Sequence, residues 1–334
     1  MAYSPLILIT GATGAVGPLV VKAFHDASYS IRTLSIDPPP VNMWPDDVEA
    51  LIGDVTDSSV VRAAMEGVEM VIHLAALLHI VNPPLALKEK YERINVGGTA
   101  TVVGAAIKAD VRRVVFFSTI AVYGQSDGRI VTENTPPRPD TFYAKTKREA
   151  EEIVLEAKRA DGRRLGTVLR LGAVYGGRIK GNYQRLVQSL ARGRFVPVGN
   201  GSNRRTLVYD KDVARAAVVA ASHDAAAGKI FNVSDGRFHT MNEIIGTICA
   251  AIGHKVPRLS LPVGVSRIVA GIIEKGGHSM GLKPPAIRAM IDKYTEDIAM
   301  DGSLIQKELG FVPHYDLKTG WEETVKEMRE GGAL

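Results

Sequence analysis

A tyrosine and a lysine stand four positions apart in this chain, at Tyr143 and Lys147. On an α-helix these two positions share one face. A lysine ammonium beside a tyrosine favours the phenolate and lowers the pKa of the phenol from its ordinary value of about 10. Such a phenolate can take a proton from an alcohol while a cofactor takes the hydride from the adjoining carbon. By itself the pair is a weak signal, because the same spacing also occurs on solvated helix faces.

Two further hydroxyl groups precede this pair, at Ser118 and Thr119. They follow the apolar residues Phe116 and Phe117, a pattern typical of the end of a buried strand. The segment that begins at Tyr143 has the pattern of a helix. The sequence therefore predicts that neighbouring elements, a strand end and a helix start, supply the hydroxyl groups and the Tyr–Lys pair.

A glycine-rich loop near the start of the chain follows the apolar run Leu6 to Thr10. Gly11, Gly14 and Gly17 would allow a tight turn, the close approach of a pyrophosphate, and close packing of helix on strand. Backbone amides where the next helix starts would hold the phosphates, and Pro18 suits a first helical turn. A strand before the loop and a helix after it agree with a dinucleotide-binding fingerprint.

An acidic residue, Asp37, follows the second predicted strand, 20 residues after Gly17. A carboxylate at this position would accept hydrogen bonds from the adenosine ribose and repel a 2′-phosphate, which favours NAD over NADP. The alternative is that Asp37 only caps a turn before Pro38-Pro39-Pro40.

Short apolar runs alternate with helical patterns through the first half of the chain, which predicts an α/β fold with a doubly wound parallel sheet of the Rossmann type. The predicted strands are Leu6–Thr10, Ser30–Ser35, Val48–Ile52, Met70–Leu74, Val114–Ser118, Gly166–Leu171 and Lys229–Val233. The predicted helices include Pro18–Ala27, Ser58–Glu66, Leu85–Ala109 and Phe142–Ala160, and one that begins at Thr240 with Glu243 placed for a capping box.

The alternation is lost after residue 172. We therefore predict a cofactor-binding domain over residues 1–172, to which residues 206–236 return. Residues 173–205 and 237–334 would form a smaller, mixed substrate-binding lobe, with substrate in the cleft between the two parts. His79, Asn82 and residues 177–185 are expected to face that cleft.

Composition narrows the class of protein. The chain has 334 residues, 46% of them hydrophobic, and can bury a large core without a metal or a disulfide. Its one cysteine, Cys249, lies in an apolar helical pattern and is expected to be a core residue in a reducing compartment. The first strand begins too early for a secretory signal, and no apolar run approaches about 18 residues, so a cytoplasmic location is expected. The net charge is +5, and the basic residues are spread through the chain among acidic ones. This distribution does not favour nucleic-acid binding.

With these motifs in hand, the chain resembles the extended short-chain dehydrogenase/reductases, in particular the NAD-dependent sugar-nucleotide epimerase/dehydratase family. The resemblance runs from about Leu6 to Phe311. Besides the glycine loop and the Tyr–Lys pair, its motifs are Gly53-Asp54-Val55, His73-Leu74-Ala75-Ala76, Asn95 with Gly98-Thr99, Val122-Tyr123-Gly124, Leu169-Arg170, Val174-Tyr175-Gly176, and Arg205 through Asp212-Val213-Ala214.

The resemblance implies roles for particular residues. Thr119, Tyr143 and Lys147 would be catalytic. Thr119 and Tyr143 would also bind the substrate, and Arg205 would bind the diphosphate of the substrate. The residues implied in NAD binding are Gly11, Thr13, Gly14, Ala15, Val16, Gly17, Asp37, Asp54, Val55, Leu74, Ala75, Ala76, Asn95, Ser118, Tyr143 and Lys147. His73 and Asp212 are expected to be structural, and the alternative for Arg205 is a solvated charge beside Arg204. Relatives are usually homodimers through helices near residues 89–108 and 143–160.

The residues after Thr119 bear on the reaction. Dehydratases and decarboxylases of this family carry an acidic residue there, whereas this chain has Ile120 and Ala121, which cannot transfer a proton. The pattern resembles 4-epimerases acting on UDP-hexoses, as does the run from Asn203 to Tyr209. The implied reaction removes a proton and a hydride at C4, rotates the 4-keto sugar, and returns the hydride to its other face.

The chain also departs from the 4-epimerases. An asparagine that contacts the diphosphate is replaced by Ala173, and a second phosphate-binding arginine is not clearly placed, with Arg288 and Lys293 as the candidates. A 3β-hydroxysteroid dehydrogenase-like enzyme, which would release a ketone and NADH, is therefore the main alternative. A non-catalytic dinucleotide-sensing or scaffolding protein is a third, although relatives of that kind usually lack the Tyr–Lys pair.

Overall fold

A computed structural model of the protein describes residues 4–78, 84–279 and 287–334, with side chains described up to residue 276 in the second range. The residues His79 and Asn82, which were expected to face the cleft, lie outside this part of the chain. Among the described residues, no helix combines the length and the apolar character needed to cross a bilayer.

The strands of the described chain are mostly short. They are β1 Leu6–Thr10, β2 Ser30–Ser35, β3 Glu49–Ile52, β4 Met70–His73, β5 Arg113–Thr119, β6 Ile130–Val131, β7 Gly166–Leu171, β8 Ala173–Tyr175, β9 Arg204–Arg205, β10 Leu207–Tyr209, β11 Ile230–Val233, β12 His239–Thr240 and β13 Ala299–Met300.

The α-helices lie between these strands and after them. They are α1 Gly17–Asp26, α2 Ser58–Ala64, α3 Lys88–Tyr91, α4 Gly98–Lys108, α5 Phe142–Glu156, α6 Asn182–Ala191, α7 Asp210–Ser222, α8 Met241–Ile252, α9 Val263–Ser279, α10 Ile287–Thr295, α11 Ser303–Leu309 and α12 Leu317–Glu330.

The central sheet has seven parallel strands in the order β11-β7-β5-β4-β1-β2-β3, which confirms the predicted doubly wound fold. The strand order reverses between β1 and β4, where Thr10 pairs with His73. The carboxyl ends of parallel strands at such a switch point form a crevice for ligands. Gly11, at the end of β1, and Thr119, at the end of β5, therefore lie on the same edge of the sheet.

Apolar side chains fill both faces of this sheet. On one face, Val20, Val21 and Phe24 of α1 pack with the alanines of α7, and on the other the sheet meets α2, α4 and α5. A third cluster, which includes Trp321 of α12, builds the smaller lobe around α6 and α8. Helix α8 has the predicted capping box between Thr240 and Glu243, and Cys249 is buried as expected.

The C-terminal segment differs from the predicted boundary in one respect. Ile305 and Leu309 of α11, and Phe311 after it, pack in the core of the large sheet with Phe231 and Val233 of β11. Residues 303–311 thus belong to the sheet domain by their contacts, although we assigned them to the smaller lobe. The apolar residues of this segment indicate that it is buried, but the sequence alone does not indicate which core they join.

Two predicted helices also differ from the observed ones. The single helix predicted over Leu85–Ala109 is a 3₁₀ turn at Leu85–Leu87, then α3, a π-helical turn at Glu92–Gly97, and α4. The π turn carries the buried Asn95, whose side chain binds backbone outside the helix. The helix predicted to reach Ala160 ends at Glu156, because the chain turns into a short antiparallel bridge between Lys158 and Arg164.

Candidate active site

The glycine loop has the geometry that its spacing predicts. Gly11 has a φ of +71°, and a Cβ there would lie 2.7 Å from the backbone nitrogen of Ala75. A Cβ at Gly17 would lie 2.1 Å from the carbonyl oxygen of Ala12, so only glycine lets α1 start this close to β1. At Gly14, a Cβ would have one described protein atom within 4 Å, the Gly11 carbonyl oxygen at 3.1 Å. The space beside Gly14 is thus open for a phosphate.

The other predicted cofactor residues lie around this loop. Thr13 donates its backbone amide to Ser35 Oγ at 3.2 Å, and Ala15 and Val16 lead into α1. Leu74, Ala75 and Ala76 follow β4, where the Leu74 amide donates to the Thr10 carbonyl at 3.1 Å.

Asp37 is exposed beyond the end of β2, while Val55 is buried. Asp54 accepts a hydrogen bond from the Thr56 amide at 2.9 Å. The open space beside Gly14 and the exposed Asp37 carboxylate fit a dinucleotide.

The predicted catalytic residues come from β5 and α5. Thr119 is the last residue of β5, and its Oγ1 accepts from the Ala121 amide at 3.2 Å. Thr141 caps α5 by accepting from the Ala144 amide at 3.1 Å, which places Tyr143 in the first turn. The Tyr143 hydroxyl is hydrogen-bonded to the side chain of Thr119. Strand end and helix start therefore meet, as the sequence predicts.

The pKa of Tyr143 shifts in the direction opposite to our expectation. Burial raises the pKa of Tyr143 to about 12. The hydrogen bond from Thr119 lowers the pKa, and Tyr91 raises it by a smaller amount. The prediction of a lowered pKa is therefore wrong for the chain by itself. The penalty of placing a phenolate in a partly apolar site outweighs the help from the surrounding protein groups.

The lysine one turn further along α5 is 3% exposed. Its Nζ lies 3.9 Å from the centroid of the Phe116 ring, a cation–π contact. Burial lowers the pKa of Lys147 to about 7, although the Glu151 carboxylate acts in the other direction. Near neutral pH this ammonium is consequently poised to lose a proton, so small changes in nearby charge alter its protonation.

Glu151 is a site residue that the sequence analysis missed. It follows Lys147 by one further turn of α5 and is fully buried. Its carboxylate accepts from Ser118 Oγ at 2.6 Å and takes a pair of hydrogen bonds from Arg170 at 2.9 and 2.7 Å. The available signal was the spacing, since Lys147 and Glu151 are again four residues apart on a helix face that also carries Tyr143.

This network has a consequence for Ser118, which the resemblance assigned to cofactor binding. Its hydroxyl donates its proton to Glu151, so only the lone pairs of its oxygen and its backbone remain for a contact with a cofactor. Arg170 also stacks on the Tyr123 ring at 4.7 Å, and the Tyr123 hydroxyl donates to Asn232 Oδ1 at 2.7 Å. The strand ends beneath the site are thereby tied together across β5, β7 and β11.

Asn95 and His73 are likewise held by protein groups. Asn95 Oδ1 accepts from the Leu77 amide at 2.7 Å, and its Nδ2 donates to Thr146 Oγ1 at 3.1 Å, which joins the segment after β4 to α5. His73 lies between Thr10 Oγ1 at 2.6 Å and Thr99 Oγ1 at 3.0 Å. Burial lowers its pKa to about 3, so it is a neutral core residue, as expected.

Arg205 is 8% exposed, which excludes the alternative of a solvated loop charge. Its guanidinium donates to the backbone carbonyls of Lys293 and Tyr294 and pairs with Glu296 at 3.4 Å. The two candidates for a second phosphate-binding residue are also paired, Lys293 with Glu296 and Arg288 with Glu274. Asp212 is structural as expected, since it accepts from the amides of His314 and Tyr315.

Comparison with known proteins agrees with this geometry. The model of the NAD dependent epimerase/dehydratase family matches residues 7–234, which include the glycine loop, the β5 end and the Tyr–Lys pair. The chain belongs to this family. Its members are NAD-dependent enzymes of the short-chain dehydrogenase/reductase type. The alternatives that remain for this chain are therefore enzymes that act on different alcohols, a nucleotide sugar or a steroid.

Two curated relatives span nearly the whole chain. One is an N-acetyl-alpha-D-glucosaminyl-diphospho-ditrans,octacis-undecaprenol 4-epimerase from Escherichia coli O157:H7, 27% identical over 96% of this chain and 94% of the relative. The other is a 3 beta-hydroxysteroid dehydrogenase/Delta 5-->4-isomerase from Mycobacterium tuberculosis, 26% identical over 92% and 86%. The fold also matches a solved UDP-glucose 4-epimerase from Thermotoga maritima with a TM-score of 0.76, at 22% identity over 98% and 99% of the two chains.

Proposed function

We propose that this protein epimerises a nucleotide sugar, a UDP-hexose, at C4 through a 4-keto intermediate. The observation that carries the proposal is the contact between the Tyr143 hydroxyl and Thr119, one helical turn from the buried Lys147. The side chains at Ile120 and Ala121, which follow Thr119, have no proton to give or take. The site therefore has the groups for a reversible oxidation and lacks, at that position, the extra acid that a dehydration needs.

In this proposal Thr119 and Tyr143 hold the 4-hydroxyl of the sugar between them. Tyr143 first releases its own proton to solvent in the reaction complex, and the resulting phenolate then takes the proton of the 4-hydroxyl. When bound, NAD supplies the acceptor for the hydride that leaves C4 of the sugar, and its nicotinamide is positively charged. After the 4-keto sugar has rotated in the site, Tyr143 returns the proton to the 4-oxygen. Lys147 stabilises the phenolate by its charge and binds the cofactor ribose.

The shifted pKa values agree with a proton held at Tyr143 until a reaction complex forms. With a pKa of about 12, Tyr143 is a neutral phenol in the chain by itself and donates or accepts a hydrogen bond without losing its proton. A positive charge placed near the ring lowers that value, because it favours the phenolate. Deprotonation would therefore be coupled to a charge that the bound state brings.

For the remaining site residues we propose the roles that the resemblance implies. The loop from Gly11 to Gly17 would hold the pyrophosphate, Asp37 the adenosine ribose, and Asp54 with Val55 the adenine. Ala75 and Ala76 would line the cofactor. Arg205 would bind the substrate diphosphate, which requires it to exchange its contacts with Glu296 for the phosphates. A homodimer through the helices near residues 89–108 and 143–160 stays a prediction.

A second function has a specific observation in its favour. The mycobacterial relative is named for oxidation of a 3β-hydroxysteroid, and such an alcohol could use the same Thr119, Tyr143 and Lys147. In the described chain both terminal nitrogens of the Arg205 guanidinium contact α10 or Glu296, as they could in a protein whose substrate has no diphosphate.

One assay separates the two functions. The purified protein with NAD is incubated with UDP-glucose, UDP-galactose, their N-acetylated forms and a 3β-hydroxysteroid, while 4-epimer formation and absorbance of NADH are followed together. The proposal expects a 4-epimer without accumulation of NADH. Steady NADH formation with the steroid, and no epimer with any sugar, would assign the protein to sterol oxidation instead.

A further inference from the structure

Helix α9 has its polar and apolar faces reversed relative to an ordinary surface helix. Its buried residues are Ser266, Ala270 and Glu274, spaced four apart on one face. A surface helix normally turns its apolar stripe towards the core and its charges towards water. Here the inward face is small and polar.

The opposite face of α9 is apolar and exposed. Val265, Ile268, Val269, Ile272 and Ile273 follow the i, i+3, i+4, i+7, i+8 spacing of one helical face, and Ile268 and Ile272 are 66% and 67% exposed. The segment that leads into α9 adds two exposed apolar residues, Leu259, which is 82% exposed, and Leu261. We call these seven residues the α9 apolar surface. Exposed apolar residues grouped in this way mark an interaction site.

The polar contacts beneath α9 explain why the helix keeps this orientation. Glu274 accepts from the backbone amide of Arg288 at 2.9 Å and from its Nε at 2.6 Å. Arg267 pairs with Asp292 at 2.9 Å. Both contacts fasten α9 to α10, so rotating the apolar residues inward would break two ion pairs. The apolar surface is therefore held outward by the fold.

The charge around this surface selects the kind of partner. Residues 254–276 contain four basic residues and one acidic residue, and the acidic one, Glu274, is buried and paired. Lys255, Arg258 and Lys275 are exposed and form no ion pair with any residue in the described parts of the chain. An exposed apolar helix face with basic residues close to it in the chain is the pattern of a helix that lies in the interface of an anionic bilayer.

We propose that the α9 apolar surface docks the protein on a membrane rich in anionic phospholipid, with Ile268 and Ile272 entering the headgroup region and Lys255, Arg258 and Lys275 contacting the phosphates. The helix lies in the membrane plane and does not cross it, which agrees with its length of 17 residues. Helix α9 packs on α10, whose last turn contacts Arg205, so docking places the smaller lobe next to the bilayer. This inference goes beyond the proposed function and does not depend on it.

Vesicle flotation with the full chain tests the proposal. One vesicle preparation contains phosphatidylglycerol mixed with phosphatidylcholine, and the other contains phosphatidylcholine alone. We expect binding to the first, weakened by added salt because the charged part of the contact is screened. An Ile268→Ser/Ile272→Ser variant is expected to lose at least about tenfold in vesicle affinity.

Val312→Ser is the matched control, because Val312 is 61% exposed but lies outside the α9 apolar surface. It should bind vesicles as the parent protein does, and circular dichroism should show that all three proteins are folded. Lack of flotation, equal binding to both vesicles, or unchanged binding by the isoleucine variant would overturn the proposal. Light scattering that shows a dimer dissolved by Ile268→Ser/Ile272→Ser, without vesicle binding by the parent, would assign the surface to a second copy and overturn it as well.

Discussion

Replacing Lys147 by methionine should stabilise the protein while abolishing its proposed activity. The ammonium is 3% exposed, and burial lowers its pKa from 10.5 to about 7. In the unfolded chain the same lysine keeps its ordinary pKa. Between pH 7 and 10.5 the unfolded state therefore holds a proton that the folded state has lost. The free energy of unfolding contributed by this group rises with pH across that window and is lowest below pH 7.

The size of the effect follows from the shift. A difference of 3.5 between the two pKa values, 10.5 and 7, corresponds to about 5 kcal/mol at about 1.36 kcal/mol per pKa unit. Lys147→Met removes the titrating group but keeps the length of the side chain and its contact with Phe116. Below pH 7 the variant should consequently be more stable by up to about 5 kcal/mol, and the advantage should shrink towards pH 10.

Urea unfolding followed by tryptophan fluorescence at pH 6 to 10 measures this difference, with Trp44 and Trp321 as probes. Only the difference between variant and parent is used, because the other titrating groups are common to both proteins and cancel. Lys145→Met is the control, since this neighbouring lysine is exposed. A stability difference for Lys147→Met that does not change between pH 6 and pH 10 would show that the folded protein holds Lys147 at an ordinary pKa and would refute the reasoning.

The remaining predictions concern other parts of the site. Tyr143→Phe should lose at least about 10²-fold in turnover while binding NAD with unchanged affinity in a fluorescence titration, and substantial remaining turnover would remove Tyr143 from the mechanism. Glu151→Ala leaves Arg170 buried without its counter-charge and should lower the free energy of unfolding by about 3–5 kcal/mol in urea; an unchanged unfolding curve would contradict the buried pair. Gly14→Ala should fold normally yet bind NAD more weakly by calorimetry. Gly17→Ala, whose Cβ would meet the Ala12 carbonyl at 2.1 Å, should also lose stability, and equal stability of the two variants would contradict that packing.

Much of the large domain could be predicted from the sequence because its signals are local. The strands at Leu6–Thr10, Ser30–Ser35 and Gly166–Leu171 have the same bounds in sequence and structure, since each is a short segment with strand-forming residues between turns. The segment predicted as helix from Leu85 to Ala109 is helical throughout residues 85–108, but its division by a π turn was not predicted. The turn carries Asn95, whose tertiary contacts leave no trace in helical periodicity. The docking of residues 303–311 on the sheet was missed for the same reason.

The candidate site divides in a similar way. The spacing of Tyr143 and Lys147, and the hydroxyl at the end of β5, identified the residues that meet. The direction of the Tyr143 pKa was not predictable, because it depends on how deeply the folded chain buries the ring. Glu151 has the sequence pattern of an ordinary charged helix residue, and its burial against Arg170 exists only after β7 and α5 pack. Side-chain burial, and with it charge energetics, is a property of the assembled fold.

The central claim is that hydride leaves C4 of a nucleotide sugar and returns to the same carbon. UDP-hexoses carrying deuterium at C4 test it directly, with the product examined by mass spectrometry and proton NMR. The account predicts a 4-epimer that keeps the deuterium at C4, with no net NADH. An epimer that has lost the label, or a labelled reduced cofactor that accumulates with a keto product, would contradict it.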